Sequence, residues 1–214
     1  MTTESIVSIV LSVITAVTAV AAIVISITQI SKSNKQSMFD RRIKIFLTVI
    51  GMKSLCEEHS SICEAYINDS KEGPLYAVDS LYLWMTNSSF LEEIQPVISH
   101  ALETEWRRKY LLKMEELRNM CEETRLIFPD SMGRSLADFI LSYEEMLVSI
   151  YKYQVAKNSI SRECQDAKKP FPRDSELENR CRSVLIESIK NTLKLAEKLA
   201  TEGALEKIKS QIKL

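Results

Sequence analysis

SIVSIVLSVITAVTAVAAIVISITQIS, Ser5 to Ser31, runs for 27 residues without a charged side chain. A helical residue advances about 1.5 Å, so roughly 20 of them cross a hydrocarbon core about 30 Å thick. This stretch is long enough with residues to spare, and it predicts one transmembrane helix at the N-terminal end. No other uncharged run approaches that length: Ile43 to Met52 contains Lys44. The expected fold is all-α. A single transmembrane anchor occupies 1–31, a polar juxtamembrane segment 32–37, and a cytoplasmic helical bundle of about five or six helices 38–214.

A cleaved secretory signal has a basic start, an apolar core of about 7–15 residues and a small-residue cleavage site. Met1-Thr2-Thr3-Glu4 carries no basic side chain, and the apolar run continues through Ala22-Ile23-Val24-Ile25 beyond the triplet Ala19-Val20-Ala21. The segment therefore reads as a retained anchor. Lys32, Lys35, Arg41, Arg42 and Lys44 all follow it and no Lys or Arg precedes it. The excess of basic residues on the cytoplasmic side of membrane helices then predicts an inner (plasma) membrane protein with its N-terminus outside and its C-terminal domain in the cytoplasm.

The anchor has an internal pattern. Ser5, Ser8, Ser12, Thr15, Ala19, Ala22, Ser26 and Gln29 alternate spacings of three and four, while most other positions are Ile, Val or Leu. A repeat of 3.5 keeps one seam facing a partner helix. In lipid, small residues let helices approach closely, and Ser or Thr can add interhelical hydrogen bonds. The pattern predicts a homo-oligomer joined along this seam. The competing reading is a plain tether whose hydroxyls bond back to carbonyls one turn earlier. A bolder reading is a narrow multi-helix pore lined by the hydroxyls.

After the anchor about 180 residues remain, the size of one domain. Lys plus Arg number 28 and Asp plus Glu 29. This balance lacks the basic surplus of a nucleic-acid binder. In Glu103 to Lys109 an aromatic sits among basic residues, but two glutamates flank it, as on a solvated helix face. Five cysteines include no Cys-x-x-Cys pair, and in a reducing cytoplasm they read as small buried hydrophobes. Asn68-Asp69-Ser70 and Asn87-Ser88-Ser89 fit the glycosylation pattern but fall on the cytoplasmic side.

With four glycines and five prolines in the chain, long helices with few loops are expected. A first cytoplasmic helix is predicted over Ser37 to Ile67, either continuous with the anchor or broken in 31–37. A short helix follows over Leu75 to Met85. Ser89-Phe90-Leu91-Glu92 then fits a capping box, with Pro96 as a kink or new first turn. Trp106, Tyr110, Met114, Leu117 and Cys121 form one stripe up to Phe128-Pro129. Leu136, Phe139, Ile140, Tyr143, Met146, Leu147 and Ile150 form the next, starting at Asp130 or Ser131. Asn158 to Asp174 reads as the longest loop, with Lys168-Lys169-Pro170-Phe171-Pro172 as a stiff connector or a partner-docking point. A last helical region covers Ser175 to Leu214, with Val184, Leu185, Ile189, Leu193, Ala196 and Ala200 on its buried side. Lys190, Lys194 and Lys198 form a ridge that could meet anionic lipid, although neighbouring glutamates fit a solvated face.

The sharpest chemical candidate is Cys56-x-x-His59-x-x-x-Cys63, whose thiols and imidazole share one face of an unbroken helix. Zinc would need a fourth ligand from Cys121, Cys164, Cys181 or His100. The competing reading is a thiol and histidine patch against the core. Recurrent Glu-Glu pairs, Glu144-Glu145 among them, read as surface charge, because neither histidine has a glutamate three residues before it as a di-iron bundle requires. No nucleophile elbow, phosphate loop or His-Glu-x-x-His is present. The sequence predicts no enzyme and no cofactor.

Phe39-Asp40-Arg41-Arg42-Ile43-Lys44-Ile45-Phe46 opens the cytoplasmic part. In this start and in its order of parts the chain resembles a loose group of uncharacterised bacterial single-pass inner-membrane proteins with a helical cytoplasmic domain. The resemblance implies architecture and carries no catalytic residues. Some proteins of that layout accompany phage-defence systems, which by analogy sustains a second functional reading. The first reading is a membrane-anchored interaction or regulatory protein that self-associates through its anchor and engages a protein partner. The second is a membrane-permeabilising effector whose bundle senses a trigger.

Overall fold

The computed structural model describes residues 3–68, 75, 77–101, 103–168, 170 and 175–212, with side chains from residue 8 onward except 9, 10, 211 and 212. Every regular element among them is a helix. In chain order these are α1 (Thr3–Glu58), α2 (Ser60–Asn68), α3 (Val78–Met85), a 3-10 helix (Glu92–Ile98), α4 (Thr104–Ile127), α5 (Ser131–Asp166), α6 (Glu176–Thr201) and α7 (Ala204–Ile212). The chain divides into two compact units, 1–43 and 44–214.

In the first unit α1 is helical through 31–37, where no Gly or Pro interrupts the backbone ladder. Its apolar part is long and apolar enough to cross a membrane, and none of it is covered by the chain. Leu11, Val17, Ile23 and Ile30 are 58, 62, 59 and 61% exposed. The hydroxyls of this stretch bond to their own helix: Ser12 Oγ donates to Ser8 O at 2.9 Å, Thr15 Oγ1 to Leu11 O at 2.8 Å and Ser26 Oγ to Ala22 O at 2.8 Å.

In the second unit α5 is the central element. It packs against α4 and α6 and also meets α3 and α7, while the 3-10 helix lies against α3 and α4. Being enclosed on several sides, α5 buries a wide face that includes Leu136, Phe139, Ile140, Tyr143, Met146, Leu147 and Ile150. Asp130 caps it by accepting from Gly133 N at 2.8 Å. Tyrosine hydroxyls tie the short elements to the long ones. Tyr143 OH donates to Met85 O at 2.5 Å, Tyr151 OH to Ala101 O at 2.7 Å and Tyr82 OH to Ile94 O at 3.1 Å. Between α5 and α6, Thr192 Oγ1 lies 2.9 Å from both Ser142 Oγ and Ser142 O.

Several expectations need correction. The helix expected over Ser37 to Ile67 is divided by a turn at His59, whose carbonyl accepts from Ile62 N at 3.1 Å and Cys63 N at 3.0 Å. The expected loop from Asn158 is helical to Asp166, because Ala156 and Ile160 continue the buried stripe and no Gly or Pro intervenes before Pro170. Of the rest of that loop, Lys169 and residues 171–174 lie outside the described residues.

The capping box does not form. Ser88 O accepts from Leu91 N at 2.9 Å and Glu92 N at 2.8 Å, and the segment continues as a 3-10 helix with no side-chain cap. Pro96, at its fifth residue, lacks the N–H that an α-helical turn would direct back to Glu92. The last helical region is split at Gly203, which takes φ +61°. On α6 the buried edge is Leu185, Ile189, Thr192, Ala196 and Leu199, whereas Val184 and Ala200 are exposed. The bonded hydroxyl lets Thr192 take a core position. Finally, Glu144 is buried, so its Glu-Glu pair is not simply surface charge.

Candidate functional site

The second unit holds a cleft of about 880 Å³ between α4, α5 and α6. Helical spacing assembles it. On α4, Arg107, Tyr110, Leu111, Met114, Glu115 and Arg118 recur at intervals of three or four along one face. On α5, Glu144, Val148, Tyr151, Lys152, Val155, Ala156 and Ser159 do the same, and Leu177 and Cys181 of α6 and Ala101 close it. A second cleft, of about 660 Å³, shares Arg118, Glu144, Val148 and Lys152 and runs on along α6 past Ser183 and Glu187.

Two polar groups are buried beside the cleft, Glu144 and the Tyr110 hydroxyl. Glu144 is fully buried. Arg118 Nη2, on a largely exposed side chain, approaches its Oε1 to 3.0 Å, close enough for charge pairing. The guanidinium N–H is not directed at that oxygen, and neither carboxylate oxygen has a hydrogen-bond partner among the described residues. The same holds for the hydroxyl of Tyr110, which is 2% exposed and whose ring stacks on Tyr151 with centroids 4.4 Å apart. Burial pushes the Glu144 carboxyl above the ordinary carboxylate range, with Arg118 opposing the shift. Burial also raises the Tyr110 hydroxyl, and Tyr82 and Glu144 add to it. Arg107, Arg118 and Lys152 give the rim a positive balance over Glu115.

Holding Glu144 in this position costs stability. A buried polar group without hydrogen-bond partners costs about 1–3 kcal/mol. Because burial disfavours the ionised form, Glu144→Gln, an uncharged stand-in for the protonated acid, is expected to be more stable than wild type at pH 8. Because the folded-state pKa is raised, the native carboxylate loses stability as pH climbs from the unfolded pKa through the folded one. The gap between variant and wild type should therefore widen from pH 4 upward and then level off. Thermal melts from pH 4 to 8 provide the check, and a variant less stable than wild type at pH 8 would refute the prediction.

The residues singled out from sequence fall elsewhere. Ser8, Ser12, Thr15, Ala19, Ala22, Ser26 and Gln29 are all exposed on α1, in the register of the proposed seam; the side chain of Ser5 lies outside the described residues. Cys56 and Cys63 are buried, but no three metal-ligating side chains converge among the described residues. The turn at His59 breaks the single helical face on which the ligand spacing depended. The imidazole instead stacks on Trp84 at 5.6 Å. Burial raises the Cys63 thiol to about 11 and pushes Cys56 higher still. Of the fourth-ligand candidates, Cys121 Sγ donates to Ala137 O at 3.3 Å, and His100 pairs with Glu103 at 2.7 Å and stacks on Trp106. Cys181 lines the cleft, and Cys164 is half-buried. Lys109 Nζ lies over the Trp106 ring, 4.3 Å from its centroid, so these two residues of the basic-aromatic run are engaged with each other. Lys190, Lys194 and Lys198 are exposed.

Sequence reading did not find the Tyr110 and Glu144 cleft. A signal was present: Glu144 stands four residues after Ile140 and four before Val148, a charge placed within an apolar stripe.

No family model matches the chain, and no curated protein or solved structure is similar to it. Its class rests on its own features: an all-helical protein with one N-terminal helix long and apolar enough to span a membrane.

Proposed function

We propose that the chain is a single-pass inner-membrane protein, N-terminus outside and bundle in the cytoplasm, that self-associates along the small-residue seam of α1 and acts as a regulatory or interaction module. The observation that carries this reading is the uncovered apolar surface between Leu11 and Ile30. An apolar area much above a few hundred Å² is not left facing water by soluble monomers and marks a membrane or partner surface. Lipid satisfies all sides of such a helix at once. The pattern of Ser8, Ser12, Thr15, Ala19, Ala22 and Ser26 then supplies the side along which a second copy packs closely. Because the hydroxyls of Ser12, Thr15 and Ser26 already donate within their own helix, association rests mainly on close van der Waals contact.

The test is the oligomeric state of full-length protein in mild detergent. Wild type should be oligomeric, and Ser12→Leu combined with Ala19→Leu should shift it toward monomer by at least tenfold in dissociation constant, about 1.4 kcal/mol. Retention of the wild-type oligomer by this variant, or by a chain lacking 1–31, would refute the seam. Leakage of cells on overexpression, lost in the same variant, would favour the permeabilising alternative over the regulatory one.

A further inference from the structure

The cleft in the second unit supports an inference beyond that reading and independent of the anchor, since every residue that lines it lies between 101 and 181. We propose that it binds a single-chain fatty acid, whose hydrocarbon tail lies along the apolar walls while its carboxylate sits between Arg107 and Lys152 at the mouth.

The interior sets the first requirement. The carboxylate oxygens of Glu144 and the hydroxyl of Tyr110 are closed to solvent, so they offer an occupant of the cleft no hydrogen bond. The Tyr151 hydroxyl is committed to Ala101 O at 2.7 Å. Leu111 and Val148 on one stretch of the walls, and Val155 and Leu177 on another, supply the surface that an occupant meets. Leu111 and Leu177 stand on different helices and are 54 and 51% exposed, so a chain lying between them would take apolar area from both out of water. A sugar or a base would leave its own polar groups unmet here, at a cost that a hydrocarbon chain does not carry. About 880 Å³ is within the range of small-molecule sites.

The mouth sets the second. Tyr110 stacks on Tyr151, Arg118 meets Glu144 and Cys121 meets Ala137, so α4 and α5 run antiparallel. Arg107 lies three residues before Tyr110 and Lys152 one residue after Tyr151, which places the two cations on opposing walls about 3 Å apart along the helix axes. Both are exposed, and neither has an ion-pair partner among the described residues. Arg118 is already paired with Glu144. Arg107 and Lys152 against Glu115 then leave one positive charge at the mouth, the complement of a single carboxylate. A phosphate monoester would bring a second negative charge toward Glu115, and a cationic amphiphile would meet the surplus with the same sign.

The experiment follows alkylation of individual cysteines by iodoacetamide, read by mass spectrometry, in full-length protein held in nanodiscs of uncharged lipid. Cys181 is half-buried and lines the cleft; Cys164 is half-buried outside it and serves as the internal control. Decanoate should slow the reaction of Cys181 and leave Cys164 unchanged, at a free concentration at least about tenfold below that needed with decanol. Octanoate, two methylenes shorter, should require about tenfold more than decanoate. Arg107→Gln combined with Lys152→Gln, both at exposed positions, should raise the decanoate requirement about tenfold and leave decanol unchanged. Decyl phosphate should protect no better than decanoate. Equal protection by decanol and decanoate overturns the proposal, as does equal protection by butyrate, which would make Arg107 and Lys152 an anion patch only. Tighter protection by decyl phosphate overturns the carboxylate head, and no protection of Cys181 relative to Cys164 overturns the site. The ligand comparisons use wild-type protein, so they decide the matter even if the double variant fails to fold.

Discussion

Gly133→Ala is expected to destabilise the bundle by at least about 3 kcal/mol, and Gly51→Ala to stabilise it by about 0.5–1 kcal/mol. Both glycines are helical, and standard propensity would favour alanine at each. Their surroundings differ. At Gly133, in the first turn of α5, an added Cβ would come within 1.8 Å of Phe128 O and 2.4 Å of Phe128 Cβ. The first of these is main chain and cannot swing aside. Relief would require moving the Phe128-Pro129 crossing or the start of α5, where Asp130 caps the helix through Gly133 N. Phe128 is itself 1% exposed, so the displacement would reach the core. At Gly51 nothing lies within 4 Å of the added carbon. Chemical denaturation of the two variants should therefore move in opposite directions from wild type. A Gly133→Ala variant as stable as wild type would mean that the approach of Phe128 is wrong.

Tyr153→Phe should cost about 2–4 kcal/mol through loss of a single oxygen. The Tyr153 hydroxyl donates to Glu178 Oε1 at 2.5 Å and accepts from Leu75 N at 2.6 Å. All three residues are at most 2% exposed. The oxygen thus joins α5 to the start of α6 and to the segment leading into α3. Its removal leaves a buried backbone N–H and weakens the pairing of a buried carboxylate, and each loss carries a desolvation cost. Tyr143→Phe is the internal control. It loses the hydrogen bond to Met85 O at 2.5 Å and a weak contact to Met85 Sδ at 4.0 Å, and strands no charged group, so about 1 kcal/mol is expected. At roughly 2–4 °C per kcal/mol for a domain of this size, thermal melts should separate the two variants clearly. Equal losses would show that the Glu178 contact contributes little.

These two sites also mark the boundary of what the sequence discloses. The stripes on α4 and α5 were legible because their apolar residues keep strict helical spacing and no glycine or proline interrupts them, and the positions read as core are buried apart from the half-buried Trp106. The start of α5, read as Asp130 or Ser131 after Phe128-Pro129, falls at Ser131 with Asp130 as its cap. Thr192 was not legible as a core residue, because its burial depends on Ser142, fifty positions away. The division at His59 carries no Gly or Pro signature, so the spacing of Cys56, His59 and Cys63 looked like one face of one helix. Glu144 illustrates the same limit. A carboxylate beside another in sequence resembles surface charge, and its burial becomes visible only when α4 and α6 are packed against α5. The cleft is a product of that packing and has no local motif.

The most direct test of the account is where the full-length chain resides. Membranes from cells expressing it should be pelleted and washed with alkaline carbonate, which strips peripheral proteins and leaves spanning ones. The account predicts that the protein stays in the pellet and that a chain lacking residues 1–31 moves to the supernatant. Full-length protein released with its first residues intact would contradict the placement of Leu11 to Ile30 in lipid, and with it the proposed topology.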